Sequence, residues 1–220
     1  MQKIICGIDE AGRGPVIGPM VMAACTIKEK DEPKLTMMGV KDSKLLSPKE
    51  RERLYDEIIK TVQKYKITII TPKQVDEALM DGNSNLNFLE ANISRELINS
   101  LKPDLVTLDC PSTNIIAYRE YVKKGVKSKT EILAEHKADF NHPVVSAASI
   151  LAKVTRDREI QKMKDNLGVN FGSGYPSDPL TVEFLEQNYD KHEKIFRKTW
   201  QSYKNIVDKK AQTNLGKWFG

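Results

Sequence analysis

Residues 4–19 read IICGIDEAGRGPVIGP, an apolar run that leads into two adjacent acids and then into a glycine-rich turn. The apolar part predicts a buried strand, and Asp9 and Glu10 come directly after the apolar run. The two like charges are followed by Arg13, which lies between two glycines. A divalent cation on the acids would allow a phosphate to bind there, with the glycine amides beside the rest of the ligand. The alternative is an ordinary strand that ends in a polar loop.

The bulk composition indicates one soluble intracellular domain. The chain has 220 residues, with 35 Lys and Arg against 30 Asp and Glu, a net charge of +5 that suits a polyanionic partner without establishing one. Its three cysteines, Cys6, Cys25 and Cys110, fall in apolar segments and predict buried thiols in a reducing compartment. No signal peptide and no membrane-spanning run is present, so we expect a cytoplasmic, monomeric protein.

The hydrophobic pattern predicts alternating strands and helices. Strands are expected at 3–9, 17–27, 66–71, 104–110 and 130–136. Helices are expected from Ser47, which has an N-cap and capping-box pattern, to near Tyr65, and then at 72–80, 85–101, 143–168, 178–191 and 196–208. The last two strands each follow a helix, which is the spacing of parallel pairing. The prediction is an α/β fold with a mixed sheet.

Four acids are expected at or just past strand ends: Asp9, Glu10, Asp109 and Asp139. In an open α/β sheet, ligands collect where the carboxyl ends of parallel strands meet, so these acids should converge there. Converging carboxylates repel unless cations intervene, and two Mg²⁺ or Mn²⁺ ions about 3.5 to 4 Å apart would neutralise them. Nothing suggests zinc, because every candidate ligand is an oxygen. Taken singly, Asp109 could cap a turn and Asp139 could begin a helix.

Six motifs between residues 7 and 179 together resemble ribonuclease HII, the type 2 ribonuclease H, in its archaeal style. In chain order they are GIDEAGRGPVIGP, VKDSK, DCPST, AEHKAD, VSAASILAK and GSGYPSDP. The resemblance implies a ribonuclease H-like fold, a five-stranded mixed sheet flanked by helices with a helical carboxyl-terminal part. It also implies an endoribonuclease that cleaves the RNA strand of RNA/DNA hybrids, and cuts 5′ of ribonucleotides embedded in duplex DNA. Two-metal-ion hydrolysis would leave a 3′-hydroxyl and a 5′-phosphate.

The resemblance also assigns roles to residues. Its four metal-binding acids correspond to the same Asp9, Glu10, Asp109 and Asp139. The backbone of Gly12, Arg13 and Gly14 would contact the 2′-hydroxyl at the RNA-to-DNA junction, and Tyr175 would pack on the following deoxyribose. A 2′-hydroxyl both donates and accepts hydrogen bonds, so backbone groups suffice to recognise it. The alternative for Tyr175 is a loop aromatic that closes over a helix end.

The VKDSK motif resembles the segment with which the family contacts phosphate, which implicates Lys41, Ser43 and Lys44 in nucleic-acid binding. The alternative is that these residues form a solvent-exposed segment that leads into the helix beginning at Ser47. His136 and Lys137 could assist phosphate or water, or could be an ordinary polar strand end. Other hypotheses for the whole chain are a different ribonuclease H-fold nuclease and a catalytically silent RNA/DNA-binding module.

The final residues form a separate segment. We expect a catalytic domain over 1–208, with its carboxyl-terminal helices, and a tail over 209–220. Four tail residues fit the pattern Q-x-x-[LIM]-x-x-aromatic-aromatic: Gln212, Leu215, Trp218 and Phe219. This pattern resembles the box that docks proteins on a PCNA-type sliding clamp, which would place the enzyme in DNA replication and ribonucleotide excision repair. The alternative is a final helical turn that packs back on the body.

Overall fold

The structure is a computed structural model that describes residues 2–82 and 84–216, with side chains to Gln212 in the last helix. The described residues form a five-stranded sheet in the order β3-β2-β1-β4-β5. The strands are β1 Ile4–Ala11, β2 Met20–Lys28, β3 Lys64–Ile70, β4 Leu105–Asp109 and β5 Glu131–Glu135. The central strand β1 pairs antiparallel with β2 and parallel with β4, and β4 pairs parallel with β5. The predicted mixed sheet is therefore confirmed.

Strand β1 is longer than the sequence pattern predicted. The predicted strand ended at Asp9, whereas β1 runs on to Ala11, with Asp9 and Glu10 paired to Ala23 and Met22 of β2. The ladder continues because β2 offers backbone partners as far as Val21, opposite Ala11. Hydrogen bonding to a neighbouring strand thus extends β1 past the end of its apolar run.

The six helices whose positions the sequence predicted lie close to those positions, and three further helices in the described part of the chain, at 33–37, 115–124 and 138–141, had no predicted bounds. In chain order the helices are α1 Pro33–Met37, α2 Pro48–Thr61, α3 Pro72–Met80, α4 Leu86–Leu101, α5 Ile115–Lys124, α6 Ala138–Asn141, α7 Pro143–Leu167, α8 Pro179–Asn188 and α9 Gln201–Gly216. The predicted capping box of α2 is present, since the Ser47 side chain accepts from the Glu50 backbone and the Glu50 carboxylate from the Ser47 backbone. This helix ends at Thr61, before the predicted Tyr65, because β3 already begins at Lys64. Helix α9 begins at Gln201, later than the predicted 196.

The chain divides into two compact units. The first unit runs to Ala11 and adds Val21–Ile69 and Asn85–Arg156; the second consists of Gly12–Met20, Ile70–Ser84 and the chain from Asp157 onward. The core of the first unit lies between β1, β2, α2 and the first half of α7. The core of the second unit contains several aromatic side chains, and the ring of Phe184 lies 5.5 Å from that of Phe171 and 6.1 Å from that of Phe196.

Helix α7 approaches the sheet very closely at one point in the first unit. A β-carbon on Gly7 would come within 3.0 Å of the backbone of Val144. Only glycine leaves room there, so the helix begins directly against the centre of β1. The small residues of the SAASILA stretch continue this tight packing, since Ala147, Ala148 and Ala152 are fully buried.

Two further predictions concern thiols and membranes. The three cysteines are free and buried, as predicted. Within the part of the chain that the structure describes, no helix combines the length and the apolar character that crossing a bilayer requires.

Candidate active site

Strand register brings Asp9 and Asp109 together. Strands β1 and β4 are paired in parallel up to Ile8 and Leu108, so the next residue on each strand is an aspartate at the same level of the sheet. Backbones of paired strands lie about 4.8 Å apart, which makes the two carboxylates close neighbours. The charge of Asp109 acts on Asp9 accordingly.

Asp139 reaches the same place from the short helix α6, four residues after β5 ends. Lys137, in the left-handed region with φ 56°, turns the chain between β5 and α6. The amide of Ala138 then donates to the Asp109 carboxylate at 2.9 Å, which ties the start of α6 to the end of β4. Asp139 is buried and is affected by the charge of Asp109.

The electrostatics of these three aspartates reflect burial together with mutual repulsion. Burial raises the pKa of Asp9 to about 8, and the charges of Asp109 and Asp139 add to this effect, against hydrogen bonds from Ser149 and the Glu10 amide. Burial also raises the pKa of Asp139, an effect that Lys44 opposes. The site therefore concentrates negative charge that the protein itself compensates only in part.

Lys44 is a basic residue that faces these carboxylates. Its ammonium lies 3.7 Å from the Asp139 carboxylate, while the side chain is otherwise largely exposed. Burial lowers the pKa of Lys44, but Asp139, Asp42 and Asp9 outweigh that effect and raise it. One exposed ammonium provides little stabilisation for several buried acids.

Glu10 leaves β1 on the face opposite to Asp9, because side chains alternate along a strand. Its charge contributes, with that of Asp109, to the raised pKa of Cys110, for which burial is the main cause. The structure thus groups Asp9, Asp109 and Asp139 directly, and places Glu10 near the end of β4.

The donor set fits divalent cations. Every candidate ligand is a carboxylate oxygen, which Mg²⁺ and Mn²⁺ prefer, and the pKa of Asp9 shows that its charge is costly without an added cation. Among residues 2–82 and 84–216, no three acidic, histidine or cysteine side chains already form a closed metal-binding cluster. The case for a metal rests on the charges and their burial.

The second unit holds the GRG turn in a defined conformation. The guanidinium of the fully buried Arg197 donates to the carbonyl oxygens of Gly12, Arg13 and Gly18 at 2.6, 2.9 and 3.1 Å. The indole of Trp200 donates to the Gly14 carbonyl at 2.9 Å. Gly12 has φ 80°, a conformation that favours glycine. The backbone of this turn is therefore fixed by hydrogen bonds from a distant part of the sequence.

The tyrosine-bearing loop is attached to the same turn. The amides of Val16 and Ile17 both donate to the Gly174 carbonyl, at 2.9 and 3.2 Å. A β-carbon on Gly14 would lie 3.5 Å from the ring of Tyr175, in ordinary van der Waals contact. The GRG turn and Tyr175, which the sequence analysis paired, thus lie side by side, with the ring partly exposed.

The VKDSK segment belongs to the first unit, and some of its side chains are exposed while others are buried. Lys41 is exposed, whereas the Ser43 side chain is buried and lies 3.0 Å from the Ser149 hydroxyl. His136 is exposed, with its Nδ1 3.0 Å from the Cys110 carbonyl oxygen. Lys137 serves as the left-handed turn before α6.

Sequence reasoning missed three residues that shape these surroundings: Ser149, Arg197 and Trp200. A buried arginine gives no local signal, because charged residues are usually exposed. Ser149 lies among small residues in the VSAASILAK motif, a pattern that indicates tight packing and gives no sign of a contact with an acid. Of the predicted clamp-binding residues, Gln212 is exposed on α9; the Leu215 side chain, Trp218 and Phe219 lie outside the described residues.

Known proteins resemble this chain over nearly its full length. The sequence model of the ribonuclease HII family matches residues 6–203. Ribonuclease HII of Thermococcus onnurineus is 46% identical over 98% of this chain and 99% of its own length. The crystal structure of ribonuclease H2 from Pyrococcus horikoshii OT3 superposes with a TM-score of 0.86 at 43% identity, covering 94% of this chain and 98% of that one. The ribonuclease HII in a PCNA:RNase HII complex from Archaeoglobus fulgidus gives 0.82 at 38% identity, covering 90% and 95%.

Proposed function

The chain belongs to the ribonuclease HII family, whose members are type 2 ribonucleases H acting on RNA/DNA hybrids, and we propose that it also incises duplex DNA 5′ of a single embedded ribonucleotide. We further propose that hydrolysis depends on two Mg²⁺ or Mn²⁺ ions and leaves a 3′-hydroxyl and a 5′-phosphate. The main support for the proposal is one observation. Asp9 and Asp109 lie at the same level of the sheet on adjacent parallel strands, with Asp139 beside them.

Asp9, Asp109 and Asp139 would hold the ions together, and Glu10, which leaves the opposite face of β1 near the end of β4, is proposed as the fourth ligand. When bound, two divalent ions would balance the carboxylate charges, orient a water for in-line attack and stabilise the leaving oxygen of the phosphodiester. The protein's own contribution is positional. Asp9 and Asp109 are fixed by the sheet, and the Ala138 amide holds one oxygen of Asp109 in place. Rigid strands keep such ligands in a constant geometry.

Recognition of the ribonucleotide is proposed for the second unit. The carbonyls of Gly12, Arg13 and Gly14 are occupied by Arg197 and Trp200, so the turn presents a preformed backbone to a sugar. A 2′-hydroxyl on the ribonucleotide would bind this backbone. The partly exposed ring of Tyr175 next to Gly14 would pack on the following deoxyribose, where a 2′-hydroxyl is absent.

Phosphate contacts are proposed for exposed basic residues. Lys44 is exposed and lies 3.7 Å from the Asp139 carboxylate, Lys41 is exposed three residues before it, and Arg13 is partly exposed in the second unit. Each phosphate they neutralise would release counterions, so binding should weaken as salt concentration rises. Ser43 is buried, so in this conformation its hydroxyl would support the segment from within.

The deciding experiment uses a labelled DNA duplex that contains one ribonucleotide. We expect a single cut on its 5′ side with Mg²⁺, no cut with EDTA, and no cut in a matched all-DNA duplex. End analysis should find a 3′-hydroxyl and a 5′-phosphate. Cleavage of an RNA/DNA hybrid without any cleavage of the single-ribonucleotide duplex would contradict the proposed incision.

Docking on a PCNA-type clamp is proposed for the tail. Gln212, Leu215, Trp218 and Phe219 supply the pattern, and a structural neighbour from Archaeoglobus fulgidus is a ribonuclease HII in complex with PCNA. A few apolar anchors can provide most of the affinity of so small a contact. Tethering would raise the enzyme's effective concentration on replicated DNA.

Three further expectations from the sequence stay predictions: the domain boundary at residue 208, the monomeric state and the cytoplasmic location.

A further inference from the structure

Two serines in the first turns of α7 contact the segments that carry the catalytic aspartates. The Ser149 hydroxyl hydrogen-bonds to the Asp9 carboxylate. The Ser146 hydroxyl donates to the backbone carbonyl of Asp139. Both serines are buried, with 5% and 3% of their surface exposed. The small face of α7 therefore carries one hydroxyl that contacts the Asp9 carboxylate and one that holds the backbone of Asp139, in addition to its packing role.

The hydrogen-bond chain around Ser149 has one consistent direction. Asp9 must be ionised to bind a cation, and an ionised carboxylate only accepts, so in that state the single hydroxyl proton of Ser149 goes to Asp9. Ser43 lies 3.0 Å from the Ser149 oxygen and must then be the donor to it. The order is Ser43 to Ser149 to Asp9, with all three side chains buried.

The close packing at Gly7 makes this contact possible. Gly7 and Asp9 are two residues apart on β1, so they face the same side of the sheet. Because α7 begins against the bare backbone of Gly7, its second turn reaches Asp9. A side chain at residue 7 would hold the helix away.

The segment around Ser43 is connected to a second acid as well. Its neighbour Lys44 lies 3.7 Å from the Asp139 carboxylate, and the Asp42 carboxylate accepts from the Lys44 amide at 2.8 Å. The 41–44 segment, whose lysines are proposed to bind phosphate, is thus connected to both acids. It contacts Asp139 through Lys44, and Asp9 through Ser43 and Ser149.

We propose that Ser149 is a positioning residue for Asp9, and that Ser43 orients its hydroxyl so that the 41–44 segment is coupled to the metal-binding carboxylates. The proposal rests on the proposed function, because Asp9 matters as a metal ligand. With the hydroxyl in place, Asp9 keeps one carboxylate orientation; without it, the side chain samples others and binds cations less well. Hydrogen-bond partners of metal ligands commonly act in this way.

The first test measures binding of Mn²⁺ by calorimetry to the full chain without nucleic acid. Ser149→Ala should weaken Mn²⁺ affinity about 10- to 100-fold and lower kcat on an RNA/DNA hybrid to a similar extent, with a smaller change in KM. Ser149→Thr keeps the hydroxyl and should restore most of both. The matched control is Thr155→Val on the same helix, since the Thr155 hydroxyl oxygen is buried and has no partner among the described residues. It should leave affinity and kcat near wild type.

The second test is a double-mutant cycle. Ser43→Ala should weaken Mn²⁺ affinity less than Ser149→Ala, and should add nothing in the Ser149→Ala background, because its effect passes through the Ser149 hydroxyl. Wild-type affinity and kcat in a folded Ser149→Ala variant would overturn the positioning role, and strictly additive effects of the two alanines would overturn the coupling through Ser43, in both cases without touching the proposed metal mechanism. A wild-type chain that neither binds Mn²⁺ nor cuts the hybrid would instead overturn the proposed metal mechanism and the positioning role with it.

Discussion

The backbone of Val144 lies so close to Gly7 that a β-carbon on residue 7 would come within 3.0 Å of it. Gly7→Ala should therefore push α7 away from β1. Backbone atoms cannot rotate aside, so we expect a loss of about 1 to 3 kcal/mol in the free energy of unfolding, measured by urea titration. Gly82→Ala is the control, because a β-carbon there meets nothing within 4 Å. Equal urea midpoints for Gly7→Ala and wild type would show that the packing is looser than described.

Replacing a candidate ligand by its amide should abolish most activity while the fold survives. Asp9→Asn and Asp109→Asn each remove a negative charge and leave a poorer ligand, so cleavage of an RNA/DNA hybrid in Mg²⁺ should fall by at least about 100-fold. The surface variant Asp31→Asn should cleave normally. Circular dichroism should show intact secondary structure in all three, and full activity of Asp9→Asn would refute the metal site.

The metal-free protein should lose stability as pH rises from about 4 to about 8. Burial and the charge of Asp109 raise the pKa of Asp9 from 3.8 to about 8, so in this window the folded chain holds a proton that the unfolded chain has released. The free energy of unfolding then falls by up to about 1.4 kcal/mol per pH unit for this one group. Urea midpoints in EDTA at several pH values measure the slope.

Three comparisons test whether Asp9 causes this pH dependence of the free energy of unfolding. Asp9→Asn should reduce it, whereas Asp31→Asn should not, because the Lys34 hydrogen bond and charge lower the pKa of Asp31 and it titrates below the window. Mg²⁺ should stabilise the wild type more at pH 8 than at pH 5, because it competes with the proton on Asp9. An unchanged slope in Asp9→Asn would assign the effect to other groups.

Tyr175→Ala should slow cleavage at an RNA-to-DNA junction more than it slows cleavage within an all-RNA hybrid. The lost packing of the ring on deoxyribose predicts a decrease of up to roughly 10-fold in kcat/KM for the junction. Tyr175→Phe keeps the ring face and should behave like wild type. Mn²⁺ affinity should be the same in all three proteins, and unchanged rates on both substrates for Tyr175→Ala would remove its proposed role.

Deleting residues 212–220 should abolish binding to a PCNA-type clamp, measured by calorimetry, while cleavage of a short oligonucleotide persists. A sharper variant replaces only Trp218 and Phe219 by alanine, which removes the two aromatic anchors and leaves helix α9 at its full length. Clamp binding that survives either change, or no binding by the intact chain, would rule out the tail as the docking element.

The sequence alone was sufficient for the fold class, and it also predicts the four acids, whose role as metal ligands stays a prediction. Several of these features are local patterns, set by residues that are close together in the sequence. They are the apolar run of β1, the Ser47 capping box and the helices before β4 and β5. The motifs from GIDEAGRG to GSGYPSDP then pointed to the ribonuclease HII family, which the comparisons show.

Only the tertiary structure decided the contacts that position those acids and the GRG turn. Asp9 lies inside β1 because β2 extends the ladder, and it faces Ser149 because α7 approaches at Gly7. Arg197 holds Gly12 across 185 residues of sequence. A polar side chain can be buried only where partners satisfy its hydrogen bonds, and those partners come from distant segments that no local pattern reveals.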